Sequence, residues 1–346
     1  HRDGKFLHPG PEESSKISLK ALKKATDELK QAQGEGIFHL YEEQPIQRME
    51  QDKLGFQDSI KVVSHVFTNI EPPLTFGIYG EWGTGRTSFL NLLKESLSSH
   101  ENFKILDFNS WIFKNEENLV FPLLRTLQKE LEITESFYMD AKKTALLSRI
   151  SFQEAMKTLY PFEEFAREKQ EGSSHGYDEE FLTHYDLWID QVQSLKKHLS
   201  RIIKSKLTAQ GKTRLAIFID NLDLCPGHTA TNLLEFIYLY LNIPHCINII
   251  AIDPNQHAKN IKNLNGFKLS QASRYLERII PYSFTLPLLT DFRLRNFILD
   301  NIYEIFTSEE DVAKWDSLRR KIDRLLTIYL EKEKENPKKI IKELNI

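Results

Sequence analysis

Short apolar runs punctuate this chain, and three of the four end in an acid or lead into a glycine. The runs are Phe76-Gly77-Ile78-Tyr79, Phe103 to Phe108, Arg214 to Asp220 and Cys246 to Asp253. Continuous apolar runs of this length predict strands buried on both faces, as in a parallel sheet. The segments between them carry helical periodicity, which predicts crossover helices. Leu54–Thr68 is read as a helix ended by Glu71-Pro72-Pro73, after an extended lead-in over 41–53. Val120, Leu123, Leu124, Leu127 and Leu131 share one helical face, and 141–170 continues the pattern with a break at Pro161. After a loop at 170–176, a long helix is predicted from about Glu179 to Leu207. Its apolar stripe is Phe181, Tyr185, Trp188, Val192, Leu195 and Leu199, a spacing suited to core packing.

The ends of the chain read differently. Residues 1–15 are rich in Pro, Gly, Glu and Ser, and 16–33 form one amphipathic, Lys-rich helix. Residues 291–346 read as a small helical part with two apolar sets: Phe292, Leu294, Phe297, Ile298 and Ile302, then Leu318, Ile322, Leu325, Leu326 and Tyr329. No internal repeat is visible.

The sharpest chemistry follows the first apolar run. Gly80-Glu81-Trp82-Gly83-Thr84-Gly85-Arg86-Thr87 has the spacing G-x-x-x-x-G-K-[ST] of a phosphate-binding loop, with Arg86 in place of lysine. Such a loop offers backbone N–H groups and a helix N-terminus to phosphate oxygens. Gly80, Gly83 and Gly85 allow close approach. Thr84 and Ser88 complete the binding set, Thr87 would place its hydroxyl on Mg²⁺, and Arg86 would reach the β/γ-phosphates. Arginine is a wide planar fork rather than a point charge, so binding can survive where the chemistry slows. The plain alternative is a Gly-rich strand-to-helix turn without a ligand.

Acids at the ends of two other runs strengthen the first reading. Carboxylates at the C-terminal edge of parallel strands lie where open α/β sheets bind ligands. Asp220 would hold Mg²⁺ through water, and Asp223 would orient or deprotonate the attacking water. Alternatively, both cap the following turn. Asp253, followed by Pro254, fits a helix cap better than a γ-phosphate sensor.

Composition narrows the remaining choices. The net charge is −3, so a broad nucleic-acid-binding face is not indicated. Cys225 and Cys246 are too few for a disulfide framework and read as buried thiols. The histidines, His257 among them, show no ligand spacing. The first residues carry no signal-peptide pattern, and a cytoplasmic setting is expected. Lys196, Lys197, Arg201, Lys204 and Lys206 make the end of the long helix basic. Complementing the helix dipole explains them simply; a polyanion contact is the sharper reading.

Together these segments resemble the KAP family of P-loop NTPases. The resemblance rests on the loop with its Trp82, on Phe108-Asn109-Ser110-Trp111-Ile112-Phe113, and on Asp220-Asn221-Leu222-Asp223-Leu224-Cys225. It extends through Ala251-Ile252-Asp253, Tyr275-Leu276-Glu277-Arg278-Ile279-Ile280 with Phe284 and Leu286-Pro287, and Asn336-Pro337-Lys338-Lys339. Order and spacing agree over roughly 40–345.

The resemblance implies an α/β P-loop NTPase with a mostly parallel sheet, a helical insertion at about 114–210 and a helical C-terminal lid. The corresponding domains are 1–40, 41–290 and 291–346. It implies ATP and Mg²⁺ as cofactors, Gln44, Pro45 and Ile46 as adenine contacts, and Lys338 or Lys339 as phosphate sensors. Arg278, ahead of Arg274, would reach a neighbouring protomer's nucleotide; a surface salt bridge is the simpler role. Many relatives carry transmembrane helices in the insertion, but no apolar run here approaches spanning length.

Four positions depart from the family pattern: Arg86, Asn221, Leu224 and Lys338. They imply reduced or regulated hydrolysis. The expected function is an ATP-binding switch or slow ATPase driving assembly with protein partners or itself, in anti-phage defence. The alternative is a pseudo-NTPase scaffold with a degenerate loop. A small-molecule kinase would need an acceptor-site motif, and none is recognisable.

Overall fold

The computed structural model describes residues 44–139, 141, 179–287, 295–296, 299–300, 319–320 and 322–323. The helix read at 16–33, most of the reading over 141–170, and Lys338 and Lys339 lie outside the described residues. So do most of the two C-terminal apolar sets.

The chain divides into two compact units. The larger comprises 59–81 and 89–285 and contains a five-stranded, all-parallel sheet. Its strands are β1 (Leu74–Tyr79), β2 (Phe103–Asn109), β3 (Arg214–Asp220), β4 (Cys246–Ile252) and β5 (Tyr282–Thr285). The spatial order is β2-β3-β4-β1-β5. The helices, in chain order, are α1 (Gln57–Asn69), α2 (Arg86–Ser98), α3 (Val120–Glu130), α4 (Glu179–Ala209), α5 (Gly227–Phe236), α6 (Pro254–Asn265) and α7 (Leu269–Ile279).

The central strands are sandwiched. Every residue of β4 is buried, as is every residue of β3 after Arg214. Each fully buried Ile or Leu contributes about 1.5–3 kcal/mol, which is why these runs are continuous rather than alternating. β2 lies at the edge of the sheet, and its pattern loosens accordingly. Two ion pairs flank it, Lys94–Asp107 at 2.9 Å and Lys104–Glu130 at 3.1 Å, placing charge where an open strand invites pairing.

Two polar side chains inside this unit are tied to backbone carbonyls. Asn248, fully buried on β4, donates to the Leu241 carbonyl at 3.1 Å. That carbonyl closes the π-helical turn Ile237–Leu241, which extends α5. Arg214 donates to the Phe67 and Thr68 carbonyls at 2.6 and 2.7 Å, satisfying orphan acceptors at the C-terminal end of α1.

In the smaller unit (1–58, 82–88, 286–346), Asp52 organises the approach to α1. Its carboxylate accepts from the backbone N–H groups of Leu54, Gly55 and Gln57. Phe56 follows with 1% exposure. The extended lead-in contains one short 3-10 turn, Met49–Gln51.

Candidate functional site

The phosphate loop forms the turn its glycines require. Gly83 and Gly85 adopt φ of 87° and 91°, a region L-residues avoid. A Cβ at Gly85 would also come within 3.1 Å of the Phe56 ring. α2 then begins at Arg86, so its first backbone N–H groups are the orphan donors that an anion can satisfy. Thr84, Gly85, Thr87 and Ser88 are half-buried, while Trp82 is 66% exposed. Left-handed glycines leading into a 13-residue helix fit a phosphate group. Arg86 is buried, with 8% exposure, rather than extended into solvent as a long cation usually is.

The acids lie in the larger unit, at the C-terminal edge of the sheet. β2 and β3 finish in register, with Asn109 beside Asp220. Asp220 is 7% exposed, and its Oδ1 accepts from the Asn221 backbone N–H at 2.7 Å. Asn221 is left-handed, φ 60°, ψ 24°, a conformation asparagine tolerates better than most residues. Its side-chain amide donates to Asn109 Oδ1 at 3.1 Å. The same oxygen accepts from the Trp111 backbone N–H and caps the 3-10 turn Ser110–Phe113. The residue at the second acidic position of the family pattern is therefore a tie between two strand ends.

Asp223 is also engaged within the protein. Its two carboxylate oxygens lie 3.1 and 3.3 Å from the Asp253 backbone nitrogen, which donates to them. His257 Nε2 lies 2.8 Å from Asp223 Oδ1, with side-chain exposures of 0% and 4%. The imidazole N–H is not in line with the oxygen, so this is a close polar pairing rather than a directed hydrogen bond. Gln256 Nε2 donates to the Asp223 carbonyl at 3.0 Å. A clasp thus joins the end of β3 to the end of β4 and the first turn of α6. Asp253 caps α6, accepting from the N–H groups of Asn255 and Gln256, with Pro254 following it.

The surrounding thiols are quiescent. Burial, and then the nearby Asp223 charge, push Cys225 up to about 11, and burial pushes Cys246 up to about 12. Arg274 and Arg278 both lie on the exposed face of α7, opposite the buried Ala272, Tyr275, Leu276 and Ile279.

Two features escaped the sequence reading. His257 follows Asp253 by four residues, one helical turn inside α6, and shares its buried side with Ala258 and Ile261. That register is a signal for a core contact, though not for its partner. The Asn109–Asn221 bond spans 112 residues, and no local pattern reports it.

The chain is similar to the phage T7 exclusion protein of Escherichia coli (strain K12), 25% identical over 286 residues covering 72% of this chain. It spans about a third of that relative, 35% of its length. Among solved structures, two of the ORC2 protein of Aeropyrum pernix, in ADPNP–ADP and ADP forms, match at 12% identity and a TM-score of 0.35. They cover 74% and 73% of this chain and 53% of theirs. No helix among the described residues is long and apolar enough to cross a membrane. The model of the KAP family P-loop domain matches residues 57–345; this chain belongs to the KAP family of P-loop NTPases, whose fold implies nucleotide binding.

Proposed function

We propose that this protein is a Mg·ATP-binding switch in which hydrolysis is slow, and that nucleotide occupancy controls its assembly with protein partners or with itself. Gly80, Gly83, Thr84, Gly85, Arg86, Thr87 and Ser88 form the phosphate cradle in this reading. Thr87 and Asp220 serve the metal. When bound, the ion would neutralise phosphate charge. Arg278, exposed on α7, is assigned to a neighbouring protomer's nucleotide. Similarity to a phage exclusion protein supports a role in excluding phage.

One observation carries the slow-hydrolysis part. Asp223, the acid expected to handle the attacking water, has its carboxylate committed to the Asp253 N–H and His257. A general base must reach the proton it removes, and this carboxylate already serves two neighbours. Position 221 holds an amide, itself bonded to Asn109. Asp223 is accordingly a positioning residue, fixing the β4 end against the β3 end.

The test is calorimetry of ATP and ADP binding with Mg²⁺, with phosphate release followed in the same sample. Saturable binding is expected, with turnover far below the ~1 s⁻¹ at which ordinary enzymes begin. Absence of binding at millimolar nucleotide would sink the switch. The buried Arg86 favours a second reading, a scaffold without nucleotide. Thr87→Ala separates the two: a switch loses ATP-dependent assembly, whereas a scaffold assembles unchanged.

A further inference from the structure

The second half of α4 concentrates positive charge to a degree that helix capping does not require. Residues 191–219 contain Lys196, Lys197, Arg201, Lys204, Lys206, Lys212 and Arg214 and no Asp or Glu, in a chain whose net charge is −3. Two of the seven have internal duties: Lys206 donates to the Glu132 carbonyl, and Arg214 holds the end of α1. Lys196, Lys197 and Arg201 instead line a groove of ≈ 370 Å³ against Pro244. Gln193 and Ser200 also line it.

None of the three groove cations has a carboxylate partner among the described residues. Lys197 and Arg201 stand at i,i+4, and Lys204 continues the same face; all three are exposed. Like charges at that spacing repel along a helix. Lys196 is half-buried, and its desolvation lowers its pKa. Among the described residues these like charges repel one another, and a bound anion would relieve that repulsion.

Its location separates it from the acids. Ile243 and Pro244 immediately precede β4, whereas Asp223 and Asp253 follow the C-terminal ends of β3 and β4. Strands of this length place the two edges about 20 Å apart.

We infer that this groove binds the phosphate backbone of a nucleic acid, without reading its sequence. Four residues of helix advance about 6 Å, so Lys197, Arg201 and Lys204 present cations in a line suited to a linear string of phosphates. Gln193 and Ser200 add neutral donors of the kind that contact phosphate oxygens. The lining contains no aromatic residue for stacking bases.

The experiment is fluorescence anisotropy of the full chain with a labelled 25-base-pair duplex of arbitrary sequence, titrated at 50 to 200 mM salt. Three phosphate contacts predict about a 40-fold loss of affinity across that range. Lys197→Gln/Arg201→Gln should cut the loss to about 4-fold and weaken binding at 50 mM salt by at least tenfold. Its thermal melting and nucleotide binding should be unchanged. The charge-preserving Lys197→Arg/Arg201→Lys variant should retain binding. Absence of duplex binding at 50 mM salt, or equal binding by the glutamine variant, overturns the inference. Capture of a poly-glutamate peptide in preference to the duplex overturns it in favour of an acidic protein partner. The outcome is independent of whether the phosphate loop turns over.

Discussion

Asp223→Ala separates a clasp from a catalytic acid. The substitution removes the acceptor of the Asp253 N–H, held at 3.1 Å, and the polar neighbour of a fully buried His257. A buried donor left without an acceptor costs about 1–3 kcal/mol. The off-line His257 contact is not a directed hydrogen bond and adds little to this. A loss of about 1–3 kcal/mol is a sizeable fraction of a typical domain's stability of about 5–15 kcal/mol. It corresponds to a fall in melting temperature of about 2–12 °C for a unit of this size. Asp223→Asn keeps one side-chain oxygen for the Asp253 N–H and should lose less than half as much.

Calorimetric melting of the three proteins measures the cost, and amide hydrogen exchange at Asp253 localises it. Exchange at that amide should accelerate in Asp223→Ala more than at amides in the centre of β4. The reasoning fails if Asp223→Ala melts within about 1 °C of the parent and its only effect is to abolish turnover. Asp223 would then face the reacting water, and its contacts with Asp253 and His257 would be dispensable.

Two further outcomes follow from buried groups. Glu235 accepts from the Tyr275 hydroxyl at 2.5 Å, and burial pushes its carboxyl up to about 7. The folded state therefore holds the proton that the unfolded chain releases near pH 4.5, so stability falls as pH rises from about 4.5 to 7, by about 3 kcal/mol. Urea unfolding across that range should show the decline in the parent but not in Glu235→Gln; parallel curves would refute it. Gly85→Ala forces an L-residue to φ 91° and brings a methyl group within 3.1 Å of Phe56. Strain of about 1–3 kcal/mol should lower the melting temperature and weaken nucleotide binding at least tenfold by calorimetry. Unchanged binding would remove the loop from the cradle.

Much of the sheet was legible because burial on both faces leaves a continuous apolar run. β1 to β4 fall where those runs lie, and α4 extends from Glu179 to Ala209, two residues past the expected end. β5 escaped because it is short, mostly exposed and carries Ser283 and Thr285. Its pairing with β1, from Phe76 beside Tyr282 to Tyr79 beside Thr285, is set by its partner rather than by its own composition. The phosphate loop was legible for a different reason. Its glycines are needed for backbone geometry, so they appear in sequence at fixed spacing. The direction of a carboxylate is not so encoded: Asp223 looks like a strand-end acid, and only the fold turns it toward Asp253 and His257.

Asn221 shows why a departure from a family motif is not simply a missing acid. Its amide donates to Asn109 Oδ1 while that same oxygen caps the turn beginning at Ser110. A carboxylate at 221 would set oxygen against oxygen. Relief would require Asn109 to turn its own amide toward position 221, withdrawing the cap from Trp111. The left-handed backbone at Asn221 is also a conformation that asparagine favours. Amide, cap and backbone are therefore mutually consistent, and together they fix the junction of β2 and β3 beside Asp220. The position holds a structural tie in place of a titratable group, next to the buried carboxylate of Asp220. Under the proposed function, such a junction favours holding a nucleotide over turning it over quickly, which would lengthen the bound state of a switch.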